Sequence, residues 1–190
     1  IGKRLIAKLL EREGAVVHFL IIEREQGEVV NTLLKRWGVD ASRAVPIVGD
    51  IAKPFFGLSE SQRAELRGRI DHLFHLAAIY DLKAPASVQQ IANVEGTRNA
   101  VRFAEDIQAG CFHLTSSIAA AGMYEGVFRE DMFDEAEHLE NPYFRTKHDS
   151  EAIVRRECKV PWRIYRPGVV VGDSRSGEMD KVDGPYYFFK

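Results

Sequence analysis

Tyr143 and Lys147 stand four residues apart in the run Tyr143-Phe-Arg-Thr-Lys147, downstream of the hydroxyl-rich segment Leu114-Thr-Ser-Ser117. Residues four apart on a helix share a face, so the Lys147 ammonium can lie near the Tyr143 hydroxyl. A phenol with a pKa of about 10 exchanges protons poorly at neutral pH. A neighbouring cation favours the phenolate and moves the tyrosine toward the range where it can pass a proton to a developing alkoxide. A hydroxyl from a strand end would hold the same oxygen from the other side, and Ser116 or Ser117 could supply it. Tyr-x-x-x-Lys arises often by chance on amphipathic helices, so its weight comes from its place behind a Ser-Ser strand end. Serines near histidines also suit a hydrolase, but the chain holds no Gly-x-Ser-x-Gly elbow. His75 lies in an apolar run with no Cys or carboxylate at metal spacing; it reads as a core histidine, and no metal is expected.

The elements that must position these residues alternate. Apolar residues at helical spacing (Leu5, Ile6, Leu9, Leu10) predict a helix from Ile1 to Glu13, stopped by Gly14. Strand-like runs follow at Ala15 to Ile22, Ala44 to Val48, Ile70 to Leu76, Cys111 to Ile118 and Trp162 to Val171, the last interrupted by Pro167. Helical patterns fall between them at Glu25 to Trp37, Ser59 to Leu66, Ser87 to Ile107 and Tyr143 to Cys158. Strands that are nearly continuous in apolar character fit a parallel sheet covered by helices on both faces. The expected fold is a doubly wound, Rossmann-like α/β sheet forming one domain over residues 1–190.

Composition narrows the partners. A chain of 190 residues that is 45% hydrophobic and 28% charged can bury a core. A net charge of -2 without a basic block gives no groove for nucleic acid and no attraction to an anionic membrane. No apolar stretch approaches the roughly 20 residues of a spanning helix, and no secretory leader is visible. Two cysteines, Cys111 and Cys158, argue against a disulfide framework and for a reducing, cytoplasmic setting. The acidic stretch from Glu125 to Glu140 reads first as a solvated loop or helix edge.

Taken together, Gly49-Asp-Ile51, His75-Leu-Ala-Ala-Ile-Tyr-Asp81, Asn93-Val-Glu-Gly-Thr97, His113 to Gly122, Tyr143 to Lys147 and Arg166-Pro-Gly168 resemble the extended short-chain dehydrogenases/reductases, in that family's order. Phe128-Arg-Glu-Asp-Met-Phe133 and the segment from Gly177 to Lys190 resemble the bacterial fatty acyl-CoA reductases within it. The resemblance implies Ser117, Tyr143 and Lys147 as catalytic residues, with Ser117 preferred over Ser116 for its spacing to Gly122. Cofactor contacts are implied for Gly2 at the pyrophosphate, Asp50 and Ile51 at the adenine, and Ala77 and Ala78 at the ribose and phosphate. Tyr143 and Lys147 would also touch the cofactor, with Pro167, Gly168 and Val169 at the nicotinamide carboxamide. Asn93 would hold backbone near the active centre.

The implied activity is NADP(H)-dependent reduction of long-chain fatty acyl thioesters or fatty aldehydes, giving aldehyde or alcohol. Arg24 suits the 2′-phosphate of NADP(H), whereas the adjacent Glu23 suits the free 2′-hydroxyl of NAD(H). A sugar-nucleotide epimerase or a hydroxysteroid-type dehydrogenase would share every catalytic residue named. A non-catalytic nucleotide-binding module is the alternative of another class, and oligomerisation stays open. In the family a strand and two glycines precede the position of Gly2, and a substrate lobe follows that of Lys190. Residues 1–190 by themselves are therefore expected to bind cofactor weakly and to turn over nothing.

Overall fold

The computed structural model describes residues 1–23, 27–79, 84–179 and 186. Among the described residues, five strands alternate with helices, and every strand pair is parallel. β1 (Val17–Ile21) pairs with β2 (Ala44–Val48), while β3 (His72–His75), β4 (Cys111–Thr115) and β5 (Trp162–Tyr165) form a second block in that order. Each block has its own apolar core, as a half-sheet covered on one face requires. Leu10, Phe19, Ile21 and Ala44 are buried under α1 (Gly2–Leu10) and α2 (Glu28–Trp37), with Ile6, Leu33, Leu34 and Trp37 packed on them. Phe112, Leu114, Val101, Ile107, Ile153 and Val154 anchor the larger core under β3–β5. Phe56 and Leu58, just beyond β2, are buried in that larger core and join the two blocks.

Local chemistry sets the helix ends. Gly38 takes a left-handed conformation (φ 65°) after α2, and its N–H reaches the carbonyls of Leu34 and Lys35. α3 (Glu60–Leu66) begins with a capping box between Ser59 and Gln62. α6 (Pro142–Glu157) begins with Asn141, whose side-chain oxygen accepts the Tyr143 N–H at 2.8 Å, and with Pro142 at the first helical position. That cap fixes where the Tyr143 turn starts.

Two expected strands end early. β4 stops at Thr115 and β5 at Tyr165, because Ser117 caps a 3₁₀ turn (Ile118–Ala121) and Pro167 cannot donate to a sheet ladder. The expected helix Ser87 to Ile107 exists but is interrupted: α4 (Ala86–Gln89) runs through a π-turn (Gln90–Glu95) into α5 (Gly96–Asp106). Such turns insert a residue and re-aim side chains, here Asn93. Gly122 (φ 66°) forms a β-bridge with Glu137, and a Cβ there would lie 1.8 Å from the Glu137 carbonyl oxygen. Only glycine fits, which pins the acidic stretch to the end of the 3₁₀ turn.

Candidate active site

The carboxyl ends of β3 and β4 meet α6 at a small cavity, where His75, Thr115 and Ser116 line the same space as Lys147 and Ser150, the end at which a doubly wound sheet places its ligands. Tyr143, Thr146, Lys147 and Ser150 fall at helical positions i, i+3, i+4 and i+7, and all four are buried. Lys147 donates to the Thr115 carbonyl at 3.4 Å, and its Nζ lies 5.9 Å from the centre of the Tyr143 ring. Burial pulls the Lys147 pKa down to about 8, against the opposing pull of Glu151 one turn along. The ammonium is therefore still mostly protonated at neutral pH, and its charge favours a phenolate at Tyr143.

The two serines part company. Ser116 is buried, its Oγ has no hydrogen-bond partner among the described residues, and it lines a small cavity with His75, Ala77, Ala78, Thr97 and Lys147. Ser117 is half-buried, and its Oγ accepts the Ala119 N–H at 3.1 Å. That bond uses a lone pair and leaves the hydroxyl proton for a substrate oxygen. α6 packs on the same 3₁₀ turn, with His148 Nδ1 lying 3.1 Å from the Ala120 carbonyl.

A polar network behind the catalytic face was largely invisible in the sequence. The Asn93 side-chain oxygen accepts the Ile79 N–H at 2.7 Å, and its amide reaches the Ile79 carbonyl and Thr146 Oγ1, each at 3.2 Å. The expected backbone-holding role of Asn93 thus has a geometric basis: it fixes the segment just after Ala77 and Ala78. Thr97 donates to the Asn93 carbonyl at 2.6 Å, so its oxygen must accept from His75 Nε2 at 3.1 Å. His75 is then the neutral Nε2–H tautomer, an assignment that burial and the Lys147 charge reinforce by lowering its pKa to about 4. It is a core histidine, as expected. Thr146 and Ser150 carried one signal that a sequence can offer: hydroxyls at helical spacing on the face of a candidate catalytic pair.

The remaining cofactor candidates divide. Ala77 and Ala78 share the cavity with Lys147. Pro167 accepts the Ile118 N–H at 3.2 Å, and Ile118 reaches to 4.0 Å from where a Gly168 side chain would begin, so this strand end adjoins Ser117. Val169 beyond it is 66% exposed. Asp50 and Ile51 follow β2; Asp50 Oδ1 accepts the Ala52 N–H at 2.9 Å, and the Ile51 carbonyl accepts the Asn99 amide at 2.9 Å. Gly2 opens α1, and nothing lies within 4 Å of where its Cβ would sit. Arg24 lies outside the described residues, and Glu23 is exposed. A surface hollow of about 400 Å³ at the end of α2, lined by Asn31, Leu34, Lys35 and Asp40, holds none of these groups. Side-chain chemistry, not volume, locates the site.

The family described as Male sterility protein matches residues 1–190. A linear gramicidin synthase chain of Brevibacillus parabrevis is 30% identical over 197 residues, covering 96% of this chain and 4% of the relative. Glycine betaine reductase ATRR of Emericella nidulans is 30% identical over 154 residues, covering 77% of this chain and 12% of the relative. Among solved structures, the terminal R domain from the myxalamid PKS-NRPS biosynthetic pathway superposes with a TM-score of 0.80 at 29% identity, covering 94% of this chain and 49% of that one. The chain thus spans a small part of these curated relatives and about half of the solved domain. Among the described residues, no helix is long and apolar enough to cross a membrane.

Proposed function

Because the chain belongs to the Male sterility protein family, within the extended short-chain dehydrogenases/reductases, we propose that it reduces an acyl thioester to an aldehyde, or an aldehyde to an alcohol. The observation that carries this reading is the buried Lys147, its pKa held near 8, set against Tyr143 on the helix face that packs over the Ser117 turn.

A bound nicotinamide would supply hydride to the carbonyl carbon. Ser117 donates its free proton to the carbonyl oxygen and holds it in place. Tyr143 passes its proton to that oxygen as negative charge develops there, and Lys147 stabilises the phenolate left behind. With a thioester the resulting hemithioacetal then expels the thiol and leaves the aldehyde. The residues fit the cofactor in kind: the small side chains of Ala77 and Ala78 line the same cavity as Lys147, which would meet a ribose hydroxyl. Asp50 and Ile51 would take the adenine, Pro167, Gly168 and Val169 the carboxamide, Gly2 the pyrophosphate and Arg24 a 2′-phosphate.

Two observations bear on the acyl group. Ile118, Met123 and Val127 follow Ser117 and are 59%, 61% and 80% exposed, apolar surface suited to a long-chain fatty acyl group. Two relatives are named a linear gramicidin synthase and a glycine betaine reductase, and neither name points to a fatty acyl group. A cytoplasmic setting suits the two unpaired cysteines.

The test assays the intact protein with fatty acyl-CoA, aminoacyl thioester and fatty aldehyde, comparing NADPH and NADH. Oxidation of NADPH by a thioester or aldehyde, several-fold faster than of NADH, is expected. A preference for NADH would transfer the ribose contact to Glu23. Epimerisation of a sugar nucleotide without net cofactor change, or cofactor binding with no carbonyl turnover, would overturn the reductase reading.

A further inference from the structure

At the other end of the same strands lies a group that the reductase chemistry does not use. β3 and β4 pair with His72 opposite Cys111 and Phe74 opposite His113, so His72, Cys111 and His113 share one face of the sheet. This face is opposite to the one on which Leu73, Phe112 and Leu114 enter the core. Far apart in sequence, the three residues present donor atoms that all lie within 4.8 Å of one another. His72 Nδ1 and His113 Nε2 are 3.1 Å apart.

We propose that His72, Cys111 and His113 form a binding site for a divalent transition metal of zinc type, taken through His72 Nδ1, Cys111 Sγ and His113 Nε2. Two imidazole nitrogens on a tetrahedral zinc, each about 2.0–2.1 Å from it, lie roughly 3.3 Å apart, and a thiolate and a nitrogen roughly 3.6 Å. The nitrogen pair already stands close to that spacing, and the sulfur lies within 4.8 Å of both nitrogens. His113 is also aimed: its Nδ1 lies 2.9 Å from the Tyr165 hydroxyl, and its ring stacks on Phe74 at 4.3 Å between centroids. With the Nδ1 proton directed at Tyr165, Nε2 carries the lone pair, the outer-sphere arrangement that orients metal-binding histidines. A bond His72 Nδ1–H to His113 Nε2 fills this geometry without metal. Because His72 is exposed, its proton can move to the solvent-facing Nε2 and free Nδ1. Binding then releases one proton, from the Cys111 thiol, and the imidazoles keep theirs. Two histidines and one thiolate leave a fourth position to water. His72 and Cys111 open β3 and β4 and His113 lies mid-strand in β4, so the metal would staple two adjacent strands and not enter catalysis.

The experiment titrates zinc, then cobalt(II), into chelator-treated intact protein. One zinc per chain, release of one proton and, with cobalt, a thiolate charge-transfer band with tetrahedral visible bands are expected. Cys111→Ser should abolish the charge-transfer band, and His72→Ala, at an exposed position, should weaken zinc binding at least about tenfold. His138→Ala, at an exposed histidine elsewhere, should leave both unchanged. Substoichiometric zinc, cobalt spectra without thiolate, or affinity unaltered by Cys111→Ser and His72→Ala would overturn the site and leave an ordinary hydrogen-bonded histidine pair.

Discussion

Replacing Tyr143 with phenylalanine in the intact protein is expected to cut turnover by roughly 10²-fold or more while leaving cofactor affinity nearly unchanged. The ring is buried on α6, and phenylalanine keeps that ring. What is lost is the proton donor. Steady-state kinetics and fluorescence titration of the reduced cofactor check the two halves separately. Turnover within about threefold of the native value would remove Tyr143 from the mechanism, and a matching loss of cofactor binding would make it a structural residue.

Glu151→Gln is expected to destabilise the fold by about 3–5 kcal/mol, the cost of leaving a buried charge without its partner. Glu151 is fully buried, and Arg166 donates to it from Nε, at 3.0 Å to Oε1 and 3.2 Å to Oε2, and from Nη2 at 2.7 Å to Oε2. The same guanidinium donates to the carbonyls of Met132 at 2.9 Å and Arg129 at 3.3 Å. One ion pair thus ties α6 and the end of β5 to the acidic stretch that follows the Ser117 turn. Glu151 also supports the charge on Lys147, so the alkaline limb of any activity profile should move to lower pH in this variant. Urea unfolding measures the first effect. A loss below about 1 kcal/mol would mean that the pair is replaceable, and pairing Glu151→Met with Arg166→Met should recover part of the loss.

The element order was legible because each element carries its own local signal. Asn141-Pro142 announces α6, Ser59 with Gln62 announces α3, and the apolar runs mark five strands. Strand ends were overdrawn where apolar or β-branched residues continue past the last ladder bond, at Ile118 and at Val169 to Val171. Those residues are exposed, so their character reflects something other than the sheet core. The π-turn at Gln90–Glu95 had no local signature, because its Asn93 is held by partners distant in sequence, Ile79 and Thr146. The Glu151–Arg166 pair was hidden for the same reason. Within the site, the Tyr143–Lys147 spacing was readable at once. Burial separates Ser116 from Ser117 in the structure, while the preference for Ser117 rests on its spacing to Gly122. The trio at His72, Cys111 and His113 depends on the β3–β4 register, which no spacing within one segment reveals.

Everything proposed for the active site requires hydride to reach a carbonyl carbon whose oxygen is held by Ser117 and Tyr143. The most direct test gives the intact protein NADPH deuterated at C4 on either face, with an acyl thioester as substrate, and follows the aldehyde by mass spectrometry. One face is predicted to deliver a single deuterium to the former carbonyl carbon and the other none, with the labelled signal falling about 10²-fold in Tyr143→Phe. Aldehyde or free acid formed without label from either face would contradict hydride transfer at this site.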